Sequence, residues 1–199
     1  MSFETNLRAA GQAISVVRFI CSFGAANKPT DVERNRVTLP TGGNFSKTKV
    51  LEALLVREYY KRDVDLKPRA ERIPIDAALG ATFRTGTCET QASIAFSFLQ
   101  RLGTPRPIDF MALTNDAHAF VLIGRTGDPA DWTKWGADAV VCDPWLNECP
   151  SVSSDGAGAE WAAWPFRPAA WAGTDFKSGT FDPQKLSTFT FKSECRIEG

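Results

Sequence analysis

The middle of the chain constrains its fold most: one amphipathic helical pattern is followed by three short, almost wholly apolar runs. In RTGTCETQASIAFSFLQRLG, which starts at Arg84, the apolar positions Ala92, Ala95, Phe96 and Leu99 recur at three-and-four spacing, and Gly103 supplies a stop. The spacing predicts a helix that begins near Cys88 and has one buried stripe. The runs Ile108 to Leu113, His118 to Gly124 and Ala139 to Cys142 have strand length. The last two are apolar on both faces, as central strands are. A helix packed on an antiparallel sheet is an α+β arrangement.

The flanks are read the same way. Phe3, Leu7, Ala10, Ile14, Val17 and Cys21 predict an amphipathic helix between Ser2 and Cys21 that ends near Gly24. Ala25 to Asn44 reads as a connecting segment with hinge composition. Ser46 is placed to cap a helix from about Lys47 to Arg62, with Val50, Leu51, Leu54 and Leu55 facing inward. Asp63 to Leu79, charged and broken by Pro, reads as a surface excursion. Arg125 to Gly136 reads as a loop between the second and third strands, and Thr188 to Lys192 as an edge strand. Ser151 to Gly173 is too irregular to assign, and its Trp161, Trp164, Phe166 and Trp171 read as core or lid. At 199 residues, one catalytic domain over 1–199 is expected, with 1–45 as an N-terminal helical extension.

Charge excludes some partners. The 23 basic and 23 acidic side chains cancel, so the field of the chain offers nucleic acid no general attraction. The apolar runs fall short of the roughly 20 residues that cross a bilayer. The first residues lack the features of a secretory signal, so the expectation is a cytoplasmic protein in the producing cell, with any export to a host or target cell by a route without a cleaved signal. Five cysteines (Cys21, Cys88, Cys142, Cys149 and Cys195) lack disulfide-scaffold spacing and read as free thiols. One histidine with widely separated cysteines does not make a zinc site, so no metal and no cofactor are expected.

The candidate chemistry begins with His118, the sole histidine, at the mouth of an apolar strand. If His118 to Gly124 pairs antiparallel with Ala139 to Asp143, a register with Phe120 opposite Val141 sets His118 opposite Asp143, within reach of a carboxylate–imidazole hydrogen bond. Asp143 would then hold the tautomer and favour the imidazolium. Cys88 lies one turn upstream of the buried stripe, at a helix start where the dipole and unpaired N–H groups favour an anionic sulfur and a developing oxyanion. Gly86 and Thr87, just before it, and Trp145, after Asp143, are the candidate substrate-binding residues. Taken singly, Cys88 also fits a structural thiol, His118 a satisfied core residue and Asp143, before Pro144, a turn former.

GTCETQASIAFSFL, DAHAFVLIG and AVVCDPWLN together resemble the Cys, His, Asp order of the papain-like and transglutaminase-like superfamily, over Arg84 to Asn147. The resemblance is nearest to bacterial effector enzymes, the YopT-type proteases and glutamine deamidases such as the catalytic domain of Pasteurella toxin. It implies a thioester at Cys88, proton transfer by His118, orientation by Asp143 and action on a protein substrate, such as a host protein; a monomer is expected. Thr82 stands where papain carries its oxyanion glutamine, and Gln91 falls inside the helix, so no side-chain oxyanion donor is assigned. The rival reading is a non-catalytic effector or adaptor that binds a partner protein through its Trp-rich segment.

Overall fold

The computed structural model describes residues 2–104, 107–113, 118–147 and 191–198. Five helices precede the main sheet: α1 Phe3–Ile20, α2 Pro29–Arg34, α3 Lys47–Lys61, α4 Arg69–Phe83 and α5 Cys88–Arg101. A two-stranded ribbon, β1 Arg36–Thr38 with β2 Asn44–Ser46, lies between α2 and α3. The main sheet has four antiparallel strands, β3 Ile108–Leu113, β4 Ala119–Ile123, β5 Val140–Cys142 and β6 Phe191–Ile197, in the order β5-β4-β3-β6. The fold class is α+β.

Strand alternation divides the core between two sheet faces. Val121, Ile123, Val140 and Cys142 meet Ala10, Ala13 and Val17 of α1 and Ala92, Ala95, Phe96 and Leu99 of α5. Phe120, Leu122 and Val141 face the other way, onto Trp135 and Phe191. That is why β4 and β5 tolerate no polar alternation. The loop between these strands is therefore more than a connection: it holds a short 3-10 turn, Trp132–Lys134, and brings the wholly buried Trp135 onto the sheet.

Several expectations are corrected. Within 1–45, α1 packs on the sheet: its residues fill the core, and Asn6 Nδ2 donates to Asp138 O at 2.7 Å beside β5. The segment read as a hinge contains α2 and the β1–β2 ribbon, clamped by Asn35 and Thr48, which both donate to Phe23 O. On α3 only Leu55 of the four proposed inward residues is buried, and Val50 is exposed. Ser46 does start α3, but its hydroxyl donates to Val32 O and does not cap the helix. Asp63 to Leu79 is mostly α4, whose Ile73 and Leu79 are buried. Pro74 sits inside that helix, tolerated because packing of the inward face outweighs one lost backbone bond. The last strand runs Phe191–Ile197, and the 188–190 part of its expected span lies outside the described residues, as do Cys149 and the Trp161 to Trp171 cluster.

β6 is joined to β3 by charge as well as by its ladder. Asp109 on β3 is fully buried and receives Arg125 Nε and Nη2 at 3.1 and 2.8 Å, Arg196 Nη1 at 3.0 Å and Ser193 Oγ at 2.7 Å. A buried carboxylate with this many charge-assisted donors is compensated for its lost hydration.

Candidate active site

Thr90 fixes where α5 begins. It is buried between α4 and the loop before α5, and a Cβ on Gly80 or Gly86 would come within 2.5 and 2.4 Å of its Cγ2. Only glycine fits at both places, so α4 and the 84–87 loop close tightly on the first turn of α5. Arg84 ends α4 in the left-handed region at φ 58°. Thr85 Oγ1 then donates to Gly24 O at 2.7 Å, and Phe23 N donates to Arg84 O at 3.0 Å. Gln91 Nε2 donates to Gly86 O at 2.9 Å, securing the same loop from inside the helix. Gly86 is thus buried against Thr90. Thr87 is the N-cap residue, in extended backbone, and makes no side-chain cap bond.

Cys88 is the first residue of α5 and half-buried. It lines a cavity of about 220 Å³ with Asn27, Arg69, Thr87, Glu89, Ala112, His118 and Ala119. The backbone N–H groups of a first helical turn have no partner within the helix, and Cys88 sits in that turn. Arg69 forms ion pairs with Glu89 and Glu194, which fixes one wall of the cavity to β6.

His118 stands at the entry to β4, where Leu113 N donates to its main-chain oxygen at 3.0 Å. Its ring is 2% exposed and lies 2.7 Å, Nε2 to Oδ2, from the fully buried Asp143. Phe120 is nearly parallel to the ring at 6.2 Å between centroids, and Trp145 meets it edge-on at 5.7 Å. The ring and Cys88 line the same cavity. Burial works against charge on this imidazole, but the Asp143 carboxylate outweighs it, with help from Cys88, and the pKa is raised from 6.5 to about 10.

The structure brings Cys88, His118 and Asp143 together, although not by the expected register. Val121 pairs with Cys142 and Leu122 with Val141, two residues away from the proposed alignment. A shift of two keeps every side chain on its face, so His118 and Asp143 become diagonal neighbours instead of direct ones and still touch. Asp143 is also the turn former its Pro144 suggested. Its Oδ1 accepts from Leu146 N at 3.2 Å while Oδ2 holds His118, so the two roles use different oxygens.

Sequence reasoning missed Asn27. It lines the Cys88 cavity, and its Oδ1 accepts from Trp145 Nε1 at 3.0 Å. An indole N–H can only donate, so the amide oxygen must face Trp145 and Nδ2 is turned away from it. Nothing local to Asn27 marks it, because its place depends on α2 and Trp145, distant in sequence. Thr82 is exposed on α4 and bonded to Ala78 O, away from the cavity. Trp145 flanks His118, and Thr87 lines the cavity.

Among the described residues no group of three or more His, Cys, Asp and Glu side chains is arranged to hold a metal, and no helix is long and apolar enough to cross a membrane. The chain matches no family model, no curated protein and no solved structure.

Proposed function

We propose that the chain is a cysteine-dependent acyl-transfer enzyme acting on protein amides, either as a glutamine deamidase or transglutaminase-like enzyme or as a cysteine protease. The observation that carries this reading is the buried His118–Asp143 pair, whose imidazole lines one cavity with Cys88. The effector role, with a host protein as target, rests on the sequence resemblance alone.

An imidazolium held by Asp143 favours a thiolate beside it. The Cys88 sulfur attacks the amide carbonyl, a C–S bond forms, and the carbonyl electron pair moves to oxygen. Asn27 Nδ2 and the N–H groups at the start of α5 are the donors for that oxyanion. On collapse the C–N bond breaks, and His118 gives its proton to the departing nitrogen. Water then attacks the thioester, His118 takes the water proton, and the C–S bond breaks to release the acid and restore the thiolate beside the imidazolium. An amine attacking in place of water gives transfer.

The test uses p-nitrophenyl acetate as a minimal acyl donor. Wild-type protein should release a burst of nitrophenol with acetyl found on Cys88 by peptide mapping, and His118→Ala should not. Acetyl spread evenly over the five thiols would refute the reading. For the natural amide, a gain of about one dalton at glutamine marks deamidation, whereas new chain termini mark proteolysis.

A further inference from the structure

A second cavity, of about 280 Å³, is lined in part by Trp145, the residue whose ring meets His118 edge-on. Its lining includes Arg18, Lys28, Asp31, Arg34, Gln91 and Trp145. We infer that this cavity is a specificity subsite that binds an aspartate or glutamate side chain of the protein substrate, close to the amide that Cys88 attacks. This rests on the acyl-transfer reading and adds the class of sequence that the site selects.

Three observations carry it. The first is charge: three cations face one carboxylate, in a chain whose charges sum to zero. Asp31 is already committed, with Oδ1 paired to Arg34 at 3.0 Å and Oδ2 accepting from Ala25 N at 3.0 Å. The other two cations bond neutral oxygens: Arg18 Nη1 donates to Asn147 Oδ1 at 3.0 Å, and Lys28 Nζ to Trp145 O at 2.7 Å. Each keeps further N–H donors, since a guanidinium has five and an ammonium three. A carboxylate entering here gains charge-assisted bonds without displacing an existing ion pair from Arg18 or Lys28.

The second observation is location. Trp145 is 5.7 Å from the His118 ring, and Lys28 Nζ is 5.1 Å from the Trp145 ring, so the two steps bound the ammonium within about 11 Å of the imidazole. An extended peptide covers about 3.3–3.6 Å per residue, which puts the selected acidic residue within about three residues of the acyl carbon. The third is anchorage. Gln91 lines this cavity and also ties the loop that presents Cys88, while Trp145 lines it too, meets the imidazole edge-on and donates to Asn27. Subsite and nucleophile therefore belong to one rigid assembly.

The test compares peptidyl chloromethyl ketones that are identical except for Glu or the isosteric Gln at each of the three positions next to the reactive group, read as the rate of Cys88 alkylation. The full chain should react about tenfold faster with the Glu reagent at one position, the factor that corresponds to about 1.4 kcal/mol. That Glu to Gln ratio should fall toward one in Arg18→Gln with Lys28→Met, and below one in Arg18→Glu. Equal rates at all three positions, or a Glu preference that survives Arg18→Glu, would overturn the subsite. Iodoacetamide, which carries no side chain, separates the two claims: if it alkylates Cys88 no faster than the other thiols, the acyl-transfer reading fails and the subsite with it.

Discussion

Replacing Asp143 with Asn isolates the charge that the site depends on. Asparagine keeps the shape and an oxygen for His118 Nε2 to donate to, but it removes the carboxylate that outweighs burial. With that attraction gone, desolvation is the largest remaining influence, and it disfavours the imidazolium. The pKa of His118 should therefore drop from about 10 to below its ordinary 6.5. At about 1.4 kcal/mol per pH unit, the difference corresponds to roughly 5 kcal/mol of interaction with the charged ring. Losses on breaking buried ion pairs run at about 3–5 kcal/mol. Because the native pKa is raised, this stability is fully present below pH 6.5 and is lost as pH climbs toward 10. His118 is the only histidine, so its NMR titration is unambiguous, and urea unfolding of wild type and variant at pH 6 and above pH 10 measures the stability. The variant's deficit should be about 3–5 kcal/mol at pH 6 and should nearly vanish above pH 10. A wild-type ring that titrates near 6.5, or an Asp143→Asn variant with an unchanged midpoint, would refute the argument.

Three further outcomes are expected. Asn27→Ala should slow acetylation of Cys88 by p-nitrophenyl acetate by roughly 10²-fold, the usual loss for one oxyanion donor, while alkylation by iodoacetamide, which forms no oxyanion, stays the same; equal slowing of both reactions would assign Asn27 a structural role only. Burial, with Glu89 adding to it, pushes the Asp76 carboxyl up to about 7, and its Oδ2 has no hydrogen-bond partner. Its ionisation therefore costs stability as pH rises from about 4 to 7, so Asp76→Asn should stabilise the fold above pH 7, by up to roughly 4 kcal/mol, and have no effect below pH 4, as read from urea midpoints. Gly86→Ala drives a Cβ to 2.4 Å from Thr90 Cγ2 and should cost about 1–3 kcal/mol, partly regained with Thr90→Ala; an undisturbed melting curve would show that the loop yields freely.

What can be read in the sequence follows physical locality. The stripe from Ala92 to Leu99 and its Gly103 stop carry enough local information to define α5, and β3 appears as the apolar run it is. α4 is hidden because Pro68, Pro74 and a charged first turn argue against a helix, while the packing of Ile73 and Leu79 that outweighs them is long-range. The pairing of β4 with β5 is open to a slip of two residues, since both strands are buried on both faces and hydrophobicity alone does not choose between registers of equal parity. The His118–Asp143 contact survives the slip because the parity is right. Asn27 and the Arg18–Lys28 cavity are products of tertiary structure alone: α1, α2 and the turn after β5 meet there from distant parts of the chain.

Alkylation by limiting iodoacetamide across pH, mapped thiol by thiol, reaches the centre of the account most directly. Cys21, whose pKa burial and Glu52 push up to about 12, and Cys195, also raised by burial, should react slowly at neutral pH. Cys88 should react first and lose that advantage in His118→Ala. A Cys88 that reacts no faster than its neighbours, or at a rate indifferent to His118, would contradict a thiolate held by the Asp143-bound imidazolium.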